Sequence, residues 1–150
     1  MTSDEIRGKI QYYEQLIAGY IEEKVQREKE LEELDLLKAR VSDLQSRFGD
    51  RQAQRQRSLS MLAAMPQRNR IYPAYCSGMQ ELLTGQMFVR TYEGLTDARQ
   101  KVAGKQGDIM SLLEDCERRI RSADSSMAYW KARLQETLAA EMKQAEEANV

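Results

Sequence analysis

Histidine is absent from the sequence, tryptophan occurs once, and proline and cysteine occur twice each in 150 residues. Each scarcity excludes something. General acid–base chemistry near neutral pH most often uses His, and a Ser or Cys nucleophile needs a base beside it, so only carboxylates, Lys and Tyr remain for such work. No glycine-rich phosphate loop follows a strand, no nucleophile elbow is present, and no acid pair stands out from the many Glu residues on helix faces. Neither catalysis nor a bound cofactor is expected. Cys76 and Cys116 lie far apart without Cys-x-x-Cys spacing, and no His can complete a metal shell. They read as small buried hydrophobes rather than as a disulfide or a zinc site. No apolar run of about 18 residues occurs, so no membrane insertion is expected. The Met-Thr-Ser-Asp-Glu-Ile start lacks a basic region followed by an apolar stretch, which points to the cytoplasm.

What is present is charge in helical phase. Charged residues make up 31% of the chain, the formal net charge is −1 and the mean hydropathy is −0.70, leaving little for a thick globular core. The pattern predicts an all-α protein, an elongated antiparallel helical hairpin or coiled coil forming one domain over residues 1–150. Its parts are a long first helix over 3–64 that can bend near Gly49, a connector over 65–73, a short helix over 74–84 and a long helix over 87–146. Thr2-Ser3-Asp4-Glu5 can cap the first helix, whose apolar positions run Ile6, Ile10, Tyr13, Ile17 and Tyr20. That seam thins through the charged stretch from Glu22 to Glu33 and resumes as Leu34, Leu37, Val41, Leu44 and Phe48. Met65-Pro66 and Tyr72-Pro73 bound the connector, because each proline disfavours helix at the residue before it.

The strongest periodicity lies in the second half. Phe88, Tyr92, Leu95, Arg99, Val102, Gln106 and Ile109 recur by fours and threes, and Leu113, Cys116, Ile120, Ala123, Met127, Trp130 and Leu134 continue the count. Only Arg99 and Gln106 break the apolar character, and polar residues at such positions often fix register. Gly94, Gly104 and Gly107 lower local helix propensity, so a bend between Gly94 and Gly107 is compatible with the pattern. A stripe of Met and aromatic residues at this spacing is core packing. The arginines Arg47, Arg51, Arg55, Arg57, Arg68 and Arg70 are opposed only by Asp50. With a pI near 5.7 and no aromatic residues between them, they fit a solvated face or an acidic protein partner better than nucleic acid.

Leu83-Thr84-Gly85 is the remaining signal: a tripeptide ending in Gly at a helix junction, with Phe88 and Tyr92 following. The order of long helix, short helix, tripeptide and long helix resembles the YwqH-like group of LXG-associated helical proteins of type VII secretion systems over residues 5–140. In those proteins a Trp-x-Gly turn links the helices. Leu83 stands here where Trp is usual, and Tyr92 to Asp97 is one residue too long for a Tyr-x-x-x-Asp export signal.

The resemblance implies a targeting or chaperone-like protein that binds the helical N-terminal domain of an LXG-type toxin, with a second small helical protein as a further partner. Such a protein acts in the cytoplasm and can be exported with its partner. The competing expectation is a self-associating coiled-coil scaffold, a homodimer through the same seams. Taking Thr84-Gly85 as the hairpin tip places Trp130, with Met127 and Leu134, on the Leu34 to Leu44 region. It also leaves the start of the first helix projecting. The expected partner-binding residues are then Ile6, Ile10, Tyr13, Ile17 and Tyr20, with Ile21 beside them, together with Phe88 and Tyr92 near the turn.

Overall fold

Thr2 opens the first helix by reciprocal bonding: its hydroxyl oxygen accepts from the Glu5 N–H at 3.3 Å, and Glu5 Oε2 accepts from the Thr2 N–H at 2.8 Å. Two of the donors that every helix start leaves unpaired are satisfied in this way. The helix that follows, α1, covers Ser3–Ala63 without interruption at Gly49. The computed structural model describes residues 1–64 and 71–150, so the connector expected from Met65-Pro66 onward lies outside the described residues as far as Arg70. α2 covers Ile71–Thr84, starting three residues earlier than the proline rule suggests. Pro73 falls in its first turn, where the missing N–H has no intrahelical acceptor to lose. α3 covers Gln86–Ala148, passing through Gly94, Gly104 and Gly107 as one helix. The protein is therefore all-α, a helical hairpin with no strand among the described residues.

Two units share these helices: Met1–Leu31 with Asp108–Val150, and Glu32–Gly107. In the first, Ile6, Ile10, Ile109, Cys116 and Ala123 are buried, Ile6 completely. The cross-helix contacts descend in order. Ser3 N donates to Glu141 Oε1 at 3.4 Å, Lys9 Nζ sits 5.2 Å from the centroid of the Trp130 ring, the Arg119 guanidinium lies 5.9 Å from that of Tyr20, and Lys24 Nζ is 3.4 Å from Glu117 Oε1. Rising numbers on α1 meet falling numbers on α3, as antiparallel packing requires.

The Glu32–Gly107 unit shows the same descent. Asp35 accepts from Gln106, Gln45 accepts from Arg99 at 3.0 Å and donates to Thr96 Oγ1 at 2.6 Å, Phe48 stacks on Phe88, and Gln52 bonds to Leu83. Leu59, Cys76 and Leu83 share one buried cluster with Met79 against it. α2 and the start of α3 therefore both run antiparallel to α1. Gly85 does break the helix where expected, yet the hairpin expectation needs correction in one respect: the chain has already turned back before Cys76, so Thr84-Gly85 bends the returning arm and is not its tip.

That shift of the reversal explains two further differences. Trp130 packs beside Lys9 rather than against Leu34 to Leu44. The start of α1 does not project either, because Ile6 and Ile10 are buried in a unit whose only other segment is the second half of α3.

The seam of α1 also differs from the apolar reading. Counting by fours and threes from Tyr20 without a slip gives Lys24, Arg27, Leu31, Leu34, Lys38 and Val41, then Gln45, Phe48 and Gln52, and all of these are buried or half-buried. Leu37 and Leu44 are left 45% and 56% exposed. The two buried polar seam residues are held by partners: Gln45, 5% exposed, bonds to Thr96, Arg99 and the Tyr92 carbonyl, and Gln106, 9% exposed, bonds to Asp35. Burial without such partners would cost about 1–3 kcal/mol per group, so these bonds favour one register over its neighbours.

Candidate interaction surface

The break at Gly85 leaves no space for a side chain. Its φ is not positive, so no left-handed conformation calls for glycine here. A Cβ at this position would meet the carbonyl oxygen of Glu81 closer than side-chain carbons approach. α3 then starts anew, with the Val89 N–H donating to the Gly85 carbonyl at 3.3 Å. Of the motif residues, Leu83 is buried against Leu59 and Cys76, Thr84 is exposed with its hydroxyl bonded to the Gln80 carbonyl, and Gly85 is half-buried.

Around this bend the unit keeps apolar side chains in water. Leu82 is 66% and Met87 77% exposed, and between them and α1 lies an open groove of about 330 Å³ lined by Phe48, Arg51, Arg55, Leu82, Met87 and Thr91, among others. The Phe48 and Phe88 rings stack at 4.9 Å between centroids and 12° between planes, and Tyr92 continues the stack at 6.0 Å. Gly49 packs beside the stack, where a Cβ would lie 3.8 Å from Tyr92 Cε2, an ordinary van der Waals contact.

The structure does not leave the strip expected at Ile6, Ile10, Tyr13, Ile17, Tyr20 and Ile21 open as an exposed face. Ile6 and Ile10 are buried in the first unit, and Tyr13, Ile17 and Tyr20 are half-buried there, Tyr20 under Arg119. Only Ile21, at 48%, is exposed from that group. Phe88 and Tyr92 belong to the other unit, where Phe88 is half-buried in the ring stack and Tyr92 is 42% exposed. The sequence reading assigns Leu37 and Leu44 to the buried seam, yet both are exposed, and it does not single out Leu82 and Met87. The uninterrupted 4-3 count from Tyr20 signals the first two, because it puts Lys38 and Gln45 on the seam and so turns Leu37 and Leu44 outward.

The chemistry of the surface is that of burial and charge. Arg47 pairs with Asp43 at 3.0 Å, while Arg51 and Arg55 form no ion pair among the described residues. Both cysteines are free and buried. The Cys116 thiol has its pKa raised, first by burial and then by the charge of Glu23 and a hydrogen bond to it, against the opposing influence of Arg119 and Arg27. No helix among the described residues is long and apolar enough to cross a membrane. No family model, curated protein or solved structure matches the chain.

Proposed function

We propose that the chain is a non-catalytic helix-binding protein, a targeting or chaperone-like partner of the helical N-terminal domain of an LXG-type toxin. The observation that carries the binding role is the pair Leu82 and Met87, 66% and 77% exposed at the mouth of an aromatic-floored groove. Exposed side chains of this size, grouped beside a groove, mark a contact surface. The helix order and the break at Leu83-Thr84-Gly85 support the choice of partner, through their resemblance to the YwqH-like group. In this reading the protein works in the cytoplasm and can leave the cell with its cargo.

The test is co-purification with a co-encoded LXG-type domain, using the wild-type chain and Leu82→Asp with Met87→Asp. Binding should be lost in the double variant while helicity is retained. Failure of the wild-type chain to hold any such domain sinks the proposal. A second reading, a self-associating scaffold, has its own observation: Tyr12, Ile21 and Val25 on α1 are 58%, 48% and 45% exposed. Sedimentation of the isolated chain separates the two, since the scaffold requires a stable homodimer that an LXG-type domain does not displace.

A further inference from the structure

We propose that the groove at the bend is one end of a longer channel in the Glu32–Gly107 unit, and that it seats a single amphipathic helix of another protein, apolar on one face and carboxylate-rich along both flanks. This rests on the reading of the chain as a helix-binding protein and specifies what it binds.

The channel follows from helical spacing. Phe48, Arg51 and Arg55 line the groove from α1, and stepping back from Phe48 by four and three reaches Leu44, Val41 and Leu37 on the same flank. Leu37 and Leu44 are exposed, and Val41 is half-buried. On α3, Met87 and Thr91 line the groove, and the same steps reach Gly94, Ala98, Lys101 and Lys105. Because α1 and α3 are antiparallel in this unit, these two flanks border one side of the pair. Nothing lies within 4 Å of a Cβ position at Gly94, so a third backbone can approach closely there. The stretch from Leu37 to Arg55 covers about 27 Å of helix, which suits a partner segment of about five turns.

The charge around it identifies the occupant. The outer edges carry Arg40, Arg51 and Arg55 from α1 and Arg90, Lys101 and Lys105 from α3, and none of the six forms an ion pair among the described residues. The acids near those edges are Asp97 and Glu93 on α3 and Asp43 on α1, of which Asp43 is already paired with Arg47. A chain of net charge −1 thus concentrates unpaired cations along an apolar floor. Nucleic acid would satisfy the cations but leave Leu37, Leu44 and Met87 against phosphate and water. An acidic amphipathic helix satisfies both, and complementary rims of this kind steer association and select partners.

The experiment uses the full chain and two fluorescent peptides of about 20 residues, the length of the channel. Both carry Leu at alternating three- and four-residue spacing; one has Glu and the other Lys at the flanking positions. Fluorescence anisotropy should show the Glu peptide binding at least about tenfold more tightly than the Lys peptide, a difference of about 1.4 kcal/mol. Leu44→Asp, and separately Arg51→Glu with Arg55→Glu, should each weaken the Glu peptide about tenfold, with helicity by circular dichroism unchanged. Equal binding of the two peptides overturns the proposal, as does Glu-peptide binding insensitive to Leu44→Asp. So does full displacement of that peptide by a short DNA duplex, by anionic vesicles, or by excess unlabelled chain. Capture of an LXG-type domain without binding of the Glu peptide refutes the channel and leaves the functional reading standing. The reverse result refutes the functional reading and leaves the channel.

Discussion

The side-chain amide of Gln52 on α1 donates to the carbonyl oxygen of Leu83, one of the last four carbonyls of α2. A helix end leaves those carbonyls without intrahelical donors, and Leu83 itself is buried, so Gln52 acts as a cap supplied by another helix. Gln52→Ala should lower stability by about 1 kcal/mol in urea unfolding, whereas Gln54→Ala on the exposed face should stay within about 0.5 kcal/mol. Equal effects of the two would mean that the bond contributes nothing.

The glycines should respond to alanine with opposite signs. At Gly104 a Cβ would meet nothing within 4 Å, so Gly104→Ala should raise stability by up to about 1 kcal/mol through helix propensity alone. At Gly85 the Cβ would press on the Glu81 carbonyl oxygen, so Gly85→Ala should lower stability by more than about 1 kcal/mol. Thermal melts of the two variants beside wild type provide the comparison.

Burial of the first turns of α1 makes a prediction opposite to that of a projecting arm. Ile6 is fully buried and Tyr12 is 58% exposed. Ile6→Ala should destabilise the isolated chain by about 2–5 kcal/mol, and Tyr12→Ala by less than about 0.5 kcal/mol. Trp130, half-buried beside Lys9, should lose less on truncation than the roughly 3–5 kcal/mol of a fully enclosed tryptophan. Denaturant titration of the three variants decides between the two placements.

The thiols add a pH dependence. Because the folded Cys116 pKa is raised, its stabilising contribution is complete below the ordinary thiol pKa and is lost as pH rises from about 8.5 through the folded value. Over that range wild type should lose stability faster than Cys116→Ala, measured by denaturant midpoint, since the variant keeps every other titrating group. At neutral pH both buried cysteines should react slowly with iodoacetamide, and rapidly once unfolded.

How much of this was legible differs between the two halves of the chain. In α3 the apolar positions from Phe88 to Leu134 keep strict phase, so spacing alone located the buried face, and the break at Gly85 was readable from its neighbours. In α1 phase and polarity disagree. Lys38 and Gln45 hold the seam positions while Leu37 and Leu44 lie outside it, and a reading weighted toward apolar residues follows the leucines. Gln45 overcomes its polarity only because Thr96 and Arg99 are opposite, a long-range pairing that no local window contains. The same limit misplaced Trp130. A hairpin's register depends on where the chain reverses, and two candidate turns lie fewer than twenty residues apart, at Met65-Pro66 and at Thr84-Gly85.

The descending order of cross-helix contacts also carries a consequence for kinetics. Gln52 and Leu83 are 31 residues apart in sequence, Asp35 and Gln106 are 71, and Ser3 and Glu141 are 138. Closing the widest pair directly would cost about 1.3 kcal/mol more entropy than closing the narrowest, by the logarithmic dependence on loop length. Once Gln52 and Leu83 have met, each later pair is only a few turns from one already formed, and its added closure is small. Folding is thus expected to zip outward from the short-range end, with the Ser3 to Ile10 segment last to dock. Pulse-labelled hydrogen exchange should show amides near Gln52 and in α2 protected before those near Ile6. Protection near Ile6 that came first would mean that the nucleus lies at the chain ends, the costliest place to begin.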